Sequence, residues 1–437
     1  MTSTVLGTSA GAAPPAWRSW LVWAIPATFY LIAFFFRASP AVMTGELMRD
    51  FHISAKQLGT LSAFYFYAYV LMQVPVGILV DSWGAKKLLV LGSLLSAAGT
   101  LLFASTDNFV LACTGRAMVG AATAVGWIVT LKIATHWFPS RSFAMISGLG
   151  LFIGNLGALF AQVPLRLLMD SFGWRSIVVV SAVVGMAIGV LALTMVRNDP
   201  VEVGFRSFAP PELTGARKES LASLAKGFGK IFRFRNTWLI FIAQGGFVGS
   251  VLAFTGLWGP AYLKTRFGLS STSAAAVCSV MIVCWAGSSP FYGRFSDVVQ
   301  RRKRLYLGGA IGMAVGWPIL FYMPGVELPV FIAISALVSI SAGAVILGFA
   351  FAKESVPVQY MGTISGATNM GNMVGPTLLQ PGIGWMLDQK WSGALDKGTR
   401  IYSVEAFHYA FLLIVAWVIV TCILAAFTRE TYCKPSV

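Results

Sequence analysis

Charged side chains are scarce in this sequence of 437 residues. Asp, Glu, Lys and Arg together make up 11% of it, whereas about 25% is usual in soluble domains. Hydrophobic residues reach 57%, above the usual range of about 45–50%. A soluble chain of this length would need more polar surface, and disordered, collagen-like and disulfide-scaffold proteins have other compositions. The composition therefore indicates a polytopic membrane protein.

Motifs that support enzyme chemistry are missing as well. The sequence contains neither a Gly-x-x-x-x-Gly-Lys-Ser/Thr phosphate loop nor a His-Glu-x-x-His zinc motif. The spacing of its five cysteines fits no metal site, and we interpret them as free thiols that fill space. We therefore predict that the protein is not an enzyme, that it has no cofactor and no metal site, and that it does not use ATP.

Apolar runs long enough to cross a bilayer recur along the chain. A spanning helix needs about 20 apolar residues, and these runs lack the alternation of barrel strands. We predict an all-α membrane protein with twelve transmembrane helices in two pseudo-symmetric six-helix bundles. The bundles are 1–196 and 237–437, joined by a polar, basic cytoplasmic linker, 197–236. The predicted spans are roughly 20–45, 57–80, 87–104, 110–131, 143–168, 176–196, 237–262, 272–293, 305–323, 329–352, 360–386 and 405–427.

Positive charge is unevenly distributed between the predicted loops. If both termini lie on the same inner side, the inner loops and tails carry 20 of the 32 lysines and arginines, and the outer loops carry nine. Cytoplasmic loops of membrane proteins carry this excess. We therefore predict cytoplasmic termini and a location in the plasma (inner) membrane. The net charge of +16 then reflects topology, so we expect no nucleic-acid partner, and the basic end of the linker is expected to contact anionic lipid.

The two halves of the sequence resemble each other. The pair Gly77 and Asp81 recurs 216 residues later as Gly293 and Asp297, and Gly157 recurs 218 residues later as Gly375. A repeat of about 217 residues on either side of a linker indicates two bundles related by pseudo-symmetry.

The first copy of this repeat carries the most specific motif, Gly77-Ile-Leu-Val-Asp81-Ser-Trp-Gly84-Ala-Lys86-Lys87. It resembles the signature of the major facilitator superfamily, Gly-x-x-x-Asp-x-x-Gly-x-basic-basic, and the resemblance covers nearly the whole chain. In this reading the glycines permit a tight turn and close packing, and Asp81 latches the cytoplasmic side. The predicted gating residues are Gly77, Asp81, Gly84, Lys86, Lys87 and Asp297.

The first two predicted helices narrow the resemblance to one branch. The segments Arg37-Ala-Ser-Pro-Ala-Val-Met, Phe51-His-Ile-Ser54 and Gln73-Val-Pro75-Val-Gly77 are similar to those of the anion:cation symporters, which import sugar acids and other organic anions. The resemblance implies that Arg37 contacts the substrate's carboxylate and that Tyr69 also contacts substrate. The branch often has an Asp just before this Arg, but here the residue is Phe36, which leaves its proton-coupling mechanism without a counterpart.

Charges inside the predicted spans are few and almost all positive. A charge within a bilayer is costly and usually faces a cavity, so Arg37 is a candidate anion anchor, with structural pairing or outward snorkelling as alternatives. Arg116 begins an Arg-x-x-x-Gly motif that the superfamily links to coupling, but it could equally hold helix carbonyls. No Asp or Glu lies away from the span ends. A cationic substrate is therefore disfavoured, and we interpret His408 as interfacial.

Polar stripes on several helices predict a central cavity. Tyr65, Tyr69 and Gln73 recur every four residues and share a helix face. Polar side chains can also simply join helices, and that alternative stays open for each residue alone. The predicted substrate-binding residues are Arg37, Tyr65, Tyr69, Gln73, Arg116, Trp127, Asn155, Gln244, Trp258, Asn369 and Asn372.

These patterns predict a secondary transporter of a small organic anion, of carboxylate or sugar-acid type, that works by alternating access. We expect a monomer that imports its substrate together with a proton or another cation. Because buried carboxylates are missing, uniport and exchange stay open. So does a carrier of zwitterions such as amino acids or short peptides, with aromatic rings holding the ammonium. Two alternatives belong to functional classes other than transporters: a non-transporting sensor on the same fold and a membrane-embedded transferase.

Overall fold

The fold is almost wholly helical in the computed structural model, which describes residues 12–209, 229–357, 360–396 and 399–434. Within these residues, eleven helical spans are long and apolar enough to cross a membrane. Met361–Gln389, with 29 residues, is equally long but richer in polar residues, and it completes the predicted twelve. The spans, first to twelfth, are Ala16–Val42, Ala55–Ser82, Ala85–Ser105, Phe109–Trp137, Met145–Phe172, Trp174–Met195, Arg235–Phe267, Ser271–Val299, Arg302–Tyr322, Leu328–Glu354, Met361–Gln389 and Val404–Phe427.

Five of these spans consist of more than one helical segment. Pro40, which lacks a backbone N–H, lies where the first helix tightens into a 3-10 turn. The seventh span contains a π-helix, Phe254–Trp258, in mid-course. The segments are Ala16–Ala38 and Ser39–Val42; Phe109–Thr123 and Val125–Trp137; Phe143–Phe160 and Val163–Phe172; Arg235–Ala253, Phe254–Trp258 and Gly259–Phe267; and Leu328–Ala342 and Val345–Glu354.

The remaining elements lie in the connections. A short helix, Thr44–Asp50, follows the first span, and 3-10 turns cover Ser140–Ser142 and Pro200–Val203. Two strands, β1 (Leu395–Asp396) and β2 (Thr399–Arg400), pair antiparallel in the hairpin before the last span.

The lengths of the spans follow the predicted repeat. Ala55–Ser82 corresponds to Ser271–Val299, and Ala85–Ser105 corresponds to Arg302–Tyr322, both of 21 residues. The prediction of two pseudo-symmetric six-helix bundles is confirmed. The boundaries of the linker stay a prediction, because most of its basic run falls on residues 210–228, outside the described residues.

We call the two ends of the bundle the terminal face and the distal face. The terminal face holds both described chain ends, near Ala12 and Lys434, and the distal face lies opposite, with the β1–β2 hairpin. The second and eleventh spans form the largest contact between the first six spans and the last six, which we call the first and second halves. Polar residues of both spans, such as Gln73 and Asn369, meet at this contact.

Candidate binding site

Arg37 lies at the end of the first helix, in the interior of the protein. The helix begins at Ala16, so Arg37 lies 21 residues on, roughly 32 Å along it. Its side chain is buried, and the guanidinium lies over the rings of Phe34 and Tyr69, at 4.4 and 5.2 Å from their centroids. No carboxylate of the described residues forms an ion pair with it, and its Nε has no hydrogen-bond partner among them. An uncompensated buried cation is costly, so this site is suited to receiving an anion.

Arg116, on the fourth span, lies beside the same site. One Nη donates a hydrogen bond of 2.9 Å to the carbonyl of Phe36, so Arg116 holds the last turn of the first helix. Its guanidinium also lies 5.2 Å from the ring centroid of Tyr65. Its Nε and its other Nη have no partner in the described part of the chain. Arg116 therefore has a structural contact and two free donors, and its coupling role stays a prediction.

Two tyrosines of the second span connect these arginines. The rings of Tyr65 and Tyr69 are stacked, with centroids 6.1 Å apart and an interplanar angle of 15°. The hydroxyl of Tyr65 donates to the carbonyl of Ala33 at 3.1 Å and accepts from Thr123 at 2.9 Å. The four-residue spacing thus places both rings between Arg37 and Arg116, as the shared helix face predicts.

One turn further towards the terminal face, the site reaches the second half. The amide of Asn369, on the eleventh span, donates to Oε1 of Gln73 at 3.0 Å. The Nε2 of Gln73 and the Oδ1 of Asn372 are buried and have no partner among the residues described. These amides provide both donors and acceptors next to the arginine pair.

Four other predicted binding residues contact partners other than the two arginines. Trp127 packs on Tyr30, 5.1 Å between ring centroids, and the amide of Asn155 donates to a carbonyl of its own helix. Gln244 donates to Val345 and accepts from Tyr306, and the indole of Trp258 donates to the carbonyl of Gln380. Gln244 and Trp258 are thus bonded within the second half, and a role in binding stays a prediction for all four residues.

The sequence did not assign some residues of this region to the site. Phe34 covers the guanidinium of Arg37, and the amide of Gln380 donates to the carbonyl of Leu252 beside the π-helix. Gln162 donates to the carbonyl of Thr255 at 3.1 Å, from the first half to the second. Its spacing of seven residues from Asn155 indicated a polar stripe on the fifth span, but not this partner.

The predicted gating residues form ion pairs within each half. Asp81 accepts from Lys132 at 2.7 Å, and Asp297 pairs with Arg302 at 2.7 Å. Gly84 has a φ of 87° and lies against the side chain of Asn198, which accepts from the backbone N–H of Lys86, so the tight turn needs this glycine. Lys87 is exposed.

The close packing predicted for Gly77 is absent in this conformation. A Cβ built on Gly77 meets no other heavy atom within 4 Å, and the same holds for Gly148, Gly293 and Gly366 near the terminal face. At the distal face the backbones touch, since a Cβ on Gly59 would lie 2.4 Å from the carbonyl oxygen of Gln380. The structure is therefore closed between the halves at the distal face.

Comparisons with known proteins decide the family. The sequence model of the Major Facilitator Superfamily matches residues 27–380. The chain belongs to the Major Facilitator Superfamily. Membership confirms the resemblance seen in the sequence, and it makes the protein a multi-pass membrane transporter and not an enzyme.

Curated relatives in this superfamily are named for organic acids. The chain is 23% identical over 376 residues to the "Probable galactarate/D-glucarate transporter GarP" of Escherichia coli K12, covering 81% of this chain and 84% of that protein. It is 21% identical over 299 residues to the "Probable sulfoacetate transporter SauU" of Cupriavidus necator, covering 68% and 69%. These relatives agree with the similarity to the anion:cation symporters.

A solved structure supports the fold. A bacterial homolog of the human lysosomal transporter Spinster superposes with a TM-score of 0.75 at 16% identity, over 96% of this chain and 97% of that one.

Proposed function

We propose that this protein is a secondary transporter of small organic anions of the carboxylate or sugar-acid type, and that it works by alternating access. The observation that carries the proposal is Arg37, a buried guanidinium that lies over the ring of Tyr69 and has no acidic partner in the described residues. The Gln73–Asn369 amides lie one helical turn further along the second span. A carboxylate bound there would supply the missing charge and accept charge-assisted hydrogen bonds. The names of the organic-acid relatives support the same substrate class.

Hydrogen bonds between the halves support alternating access. Among the described residues, all of them lie at the distal face or at Gln162 and Gln73, and none lies closer to the terminal face. The Lys and Arg excess at the terminal face supports a cytoplasmic location for that face. In a bacterial inner membrane this conformation would then face inward, with the site open to the cytoplasm.

A zwitterionic substrate has less support. The ammonium would need a free aromatic face, but the ring of Tyr65 already faces the guanidinium of Arg116. Trp258 is buried, and its indole N–H is bonded within the second half. The site as built therefore favours a substrate whose charge is negative.

Binding of galactarate to the purified protein, measured by titration calorimetry, tests this function. The uncharged polyol galactitol serves as the chemical control. Hydrogen bonds to a charged group contribute about 1.5–3 kcal/mol each. Losing two of them in Arg37→Ala should weaken binding at least about 100-fold. Arg37→Lys should restore it only in part, because an ammonium cannot form the bidentate fork.

A matched control uses another arginine. Arg49 is half-exposed at the distal surface, and its one ion pair among the described residues is with the neighbouring Asp50. Arg49→Ala should therefore bind galactarate as the parent does. If Arg37→Ala binds galactarate or another sugar acid with unchanged affinity, the site is not at Arg37. Robust counterflow by the parent in proteoliposomes would exclude the non-transporting sensor.

A further inference from the structure

Asp388, the penultimate residue of the eleventh span, binds the start of the second span. Its two carboxylate oxygens accept from the backbone N–H groups of Ala55 and Lys56, at 3.2 and 2.9 Å. These are among the first N–H groups of the helix Ala55–Ser82, which have no partner within the helix. A carboxylate is favourable at this end because the helix dipole is positive there. A side chain of the second half thus caps a helix of the first half.

Two residues that follow the eleventh span hold Asp388 in place. The hydroxyl of Tyr402 donates to Oδ1 of Asp388 at 2.6 Å, and the guanidinium of Arg400 donates to the same oxygen at 3.2 Å. Burial raises the pKa of the Tyr402 phenol above its usual range, so the hydroxyl keeps its proton and acts as a donor. Arg400 itself lies over the ring of Trp391, 4.1 Å from the centroid. Residues of its own half therefore orient the carboxylate towards the second span.

The backbone around this contact is closely packed. A Cβ built on Gly384, one turn before Asp388, would lie 2.2 Å from the carbonyl oxygen of Ala55. The hairpin adds a weaker link, since the hydroxyl of Thr399 lies 3.5 Å from the carbonyl of Gly45 in the first half. Asp388 provides the only carboxylate that joins the two halves among the described residues.

The repeat offers a natural comparison. Asp170 stands 218 residues before Asp388, at the corresponding end of the fifth span. Its carboxylate pairs with Arg166 of the same helix and forms no described bond to the second half. The two aspartates thus occupy equivalent positions, but Asp388 alone connects the halves.

We propose that Asp388 is the distal lock of the transporter, a positioning residue that holds the distal face closed by capping the second span. The inference rests on the proposed alternating access, because the cap has to break each time the distal face opens. Removing its charge should leave the substrate site intact but favour the distal-open state. The superfamily signature at Asp81 lies at the opposite face and does not contribute to this contact.

Double electron–electron resonance between spin labels on the distal face tests the lock. Ser105 and Glu327 are exposed there in opposite halves, and both are changed to Cys in the full chain, with the five native cysteines replaced by alanine. The parent should give a single distance. Asp388→Asn should add a longer distance and raise the ratio of distal-open to distal-closed molecules at least about tenfold, the equivalent of about 1.4 kcal/mol.

Two further variants sharpen the test. The hydroxyl of Tyr402 also accepts from the backbone N–H of Ala55, at 3.2 Å, and so belongs to the same cap. Tyr402→Phe removes this hydroxyl and keeps the carboxylate, so it should shift the distances in the same direction but less. Asp170→Asn makes the same chemical change at the equivalent position and should leave them as in the parent. If Asp388→Asn does not fold, Tyr402→Phe alone decides.

The outcomes separate the lock from the transport function. Unchanged distances in Asp388→Asn, or in Tyr402→Phe if only that variant folds, would overturn the proposal, as would an equal shift in Asp170→Asn. Galactarate binding and counterflow are measured on the same samples. If Asp388→Asn shifts the distances while the parent binds and transports no organic acid, the result would support the lock and reject the proposed substrate class. Normal counterflow by the parent with unchanged distances in the variants would reject the lock and support the proposed substrate class.

Discussion

The substitution Gly384→Ala should prevent full closure of the distal face. The added Cβ would lie 2.2 Å from the carbonyl oxygen of Ala55, whereas ordinary contact begins at 3.4 Å. The obstacle is a backbone atom, which cannot rotate away as a side chain could. The second and eleventh spans therefore have to separate by about the difference between these two distances. Overpacking of this kind costs about 1–3 kcal/mol. The distal-closed state should therefore lose about 5- to 150-fold in population.

The eleventh span itself supplies the control for this substitution. A Cβ on Gly366, near the terminal face, meets no other heavy atom within 4 Å, so Gly366→Ala should leave the distal-closed state undisturbed. The measurements are galactarate counterflow in proteoliposomes and the distance between labels at Ser105 and Glu327. Counterflow should slow in Gly384→Ala, with a longer label distance. If Gly384→Ala keeps both the parent's rate and its distance, the argument from backbone contact is refuted.

Other substitutions test the terminal face and the coupling. Asp81→Asn should slow counterflow strongly while galactarate affinity stays within a few-fold, because the pair of Asp81 with Lys132 lies away from Arg37. Unchanged counterflow would mean that the motif forms a turn and has no role in gating. Glu46→Gln and His408→Gln should each keep counterflow, since exchange needs no net proton movement. Loss of accumulation driven by a pH gradient in one of these two variants alone would identify it as the proton carrier.

The sequence predicted the spans well because hydrophobic runs and loop motifs are local features. Irregular positions within the spans were less visible. The π-helix at Phe254–Trp258 contains an ordinary apolar sequence. The carbonyl of Thr255 within it accepts from Gln162 of the first half, and the carbonyl of Leu252 just before it accepts from Gln380 of the second half. Only the fold reveals such pairings, since the partners lie far apart along the chain.

In the site, too, the sequence predicted features within one helix but not contacts between distant residues. The spacing of Tyr65 and Tyr69 predicted one helix face, and the structure places both there, between the two arginines. The distance between Asn369 and Gln73 in the sequence gave no hint of their contact. The pairing of Lys132 with Asp81, 51 residues away along the chain, likewise had no sign in the sequence.

The charges around the site bear on coupling. Glu46, one of the two end-of-span groups that could have carried a proton, is held by Arg166 at 2.6 Å on the distal side. His408, the other, lies 3.2 Å from the hydroxyl of Tyr262 in the second half. Neither forms a described contact with Arg37. A proton that moves with the substrate would then travel on the substrate's own acid group. Without a bound anion, the empty carrier would have to return with the charge of Arg37 uncompensated, which is unfavourable within a bilayer. This cost favours exchange, in which the carrier returns with another anion bound.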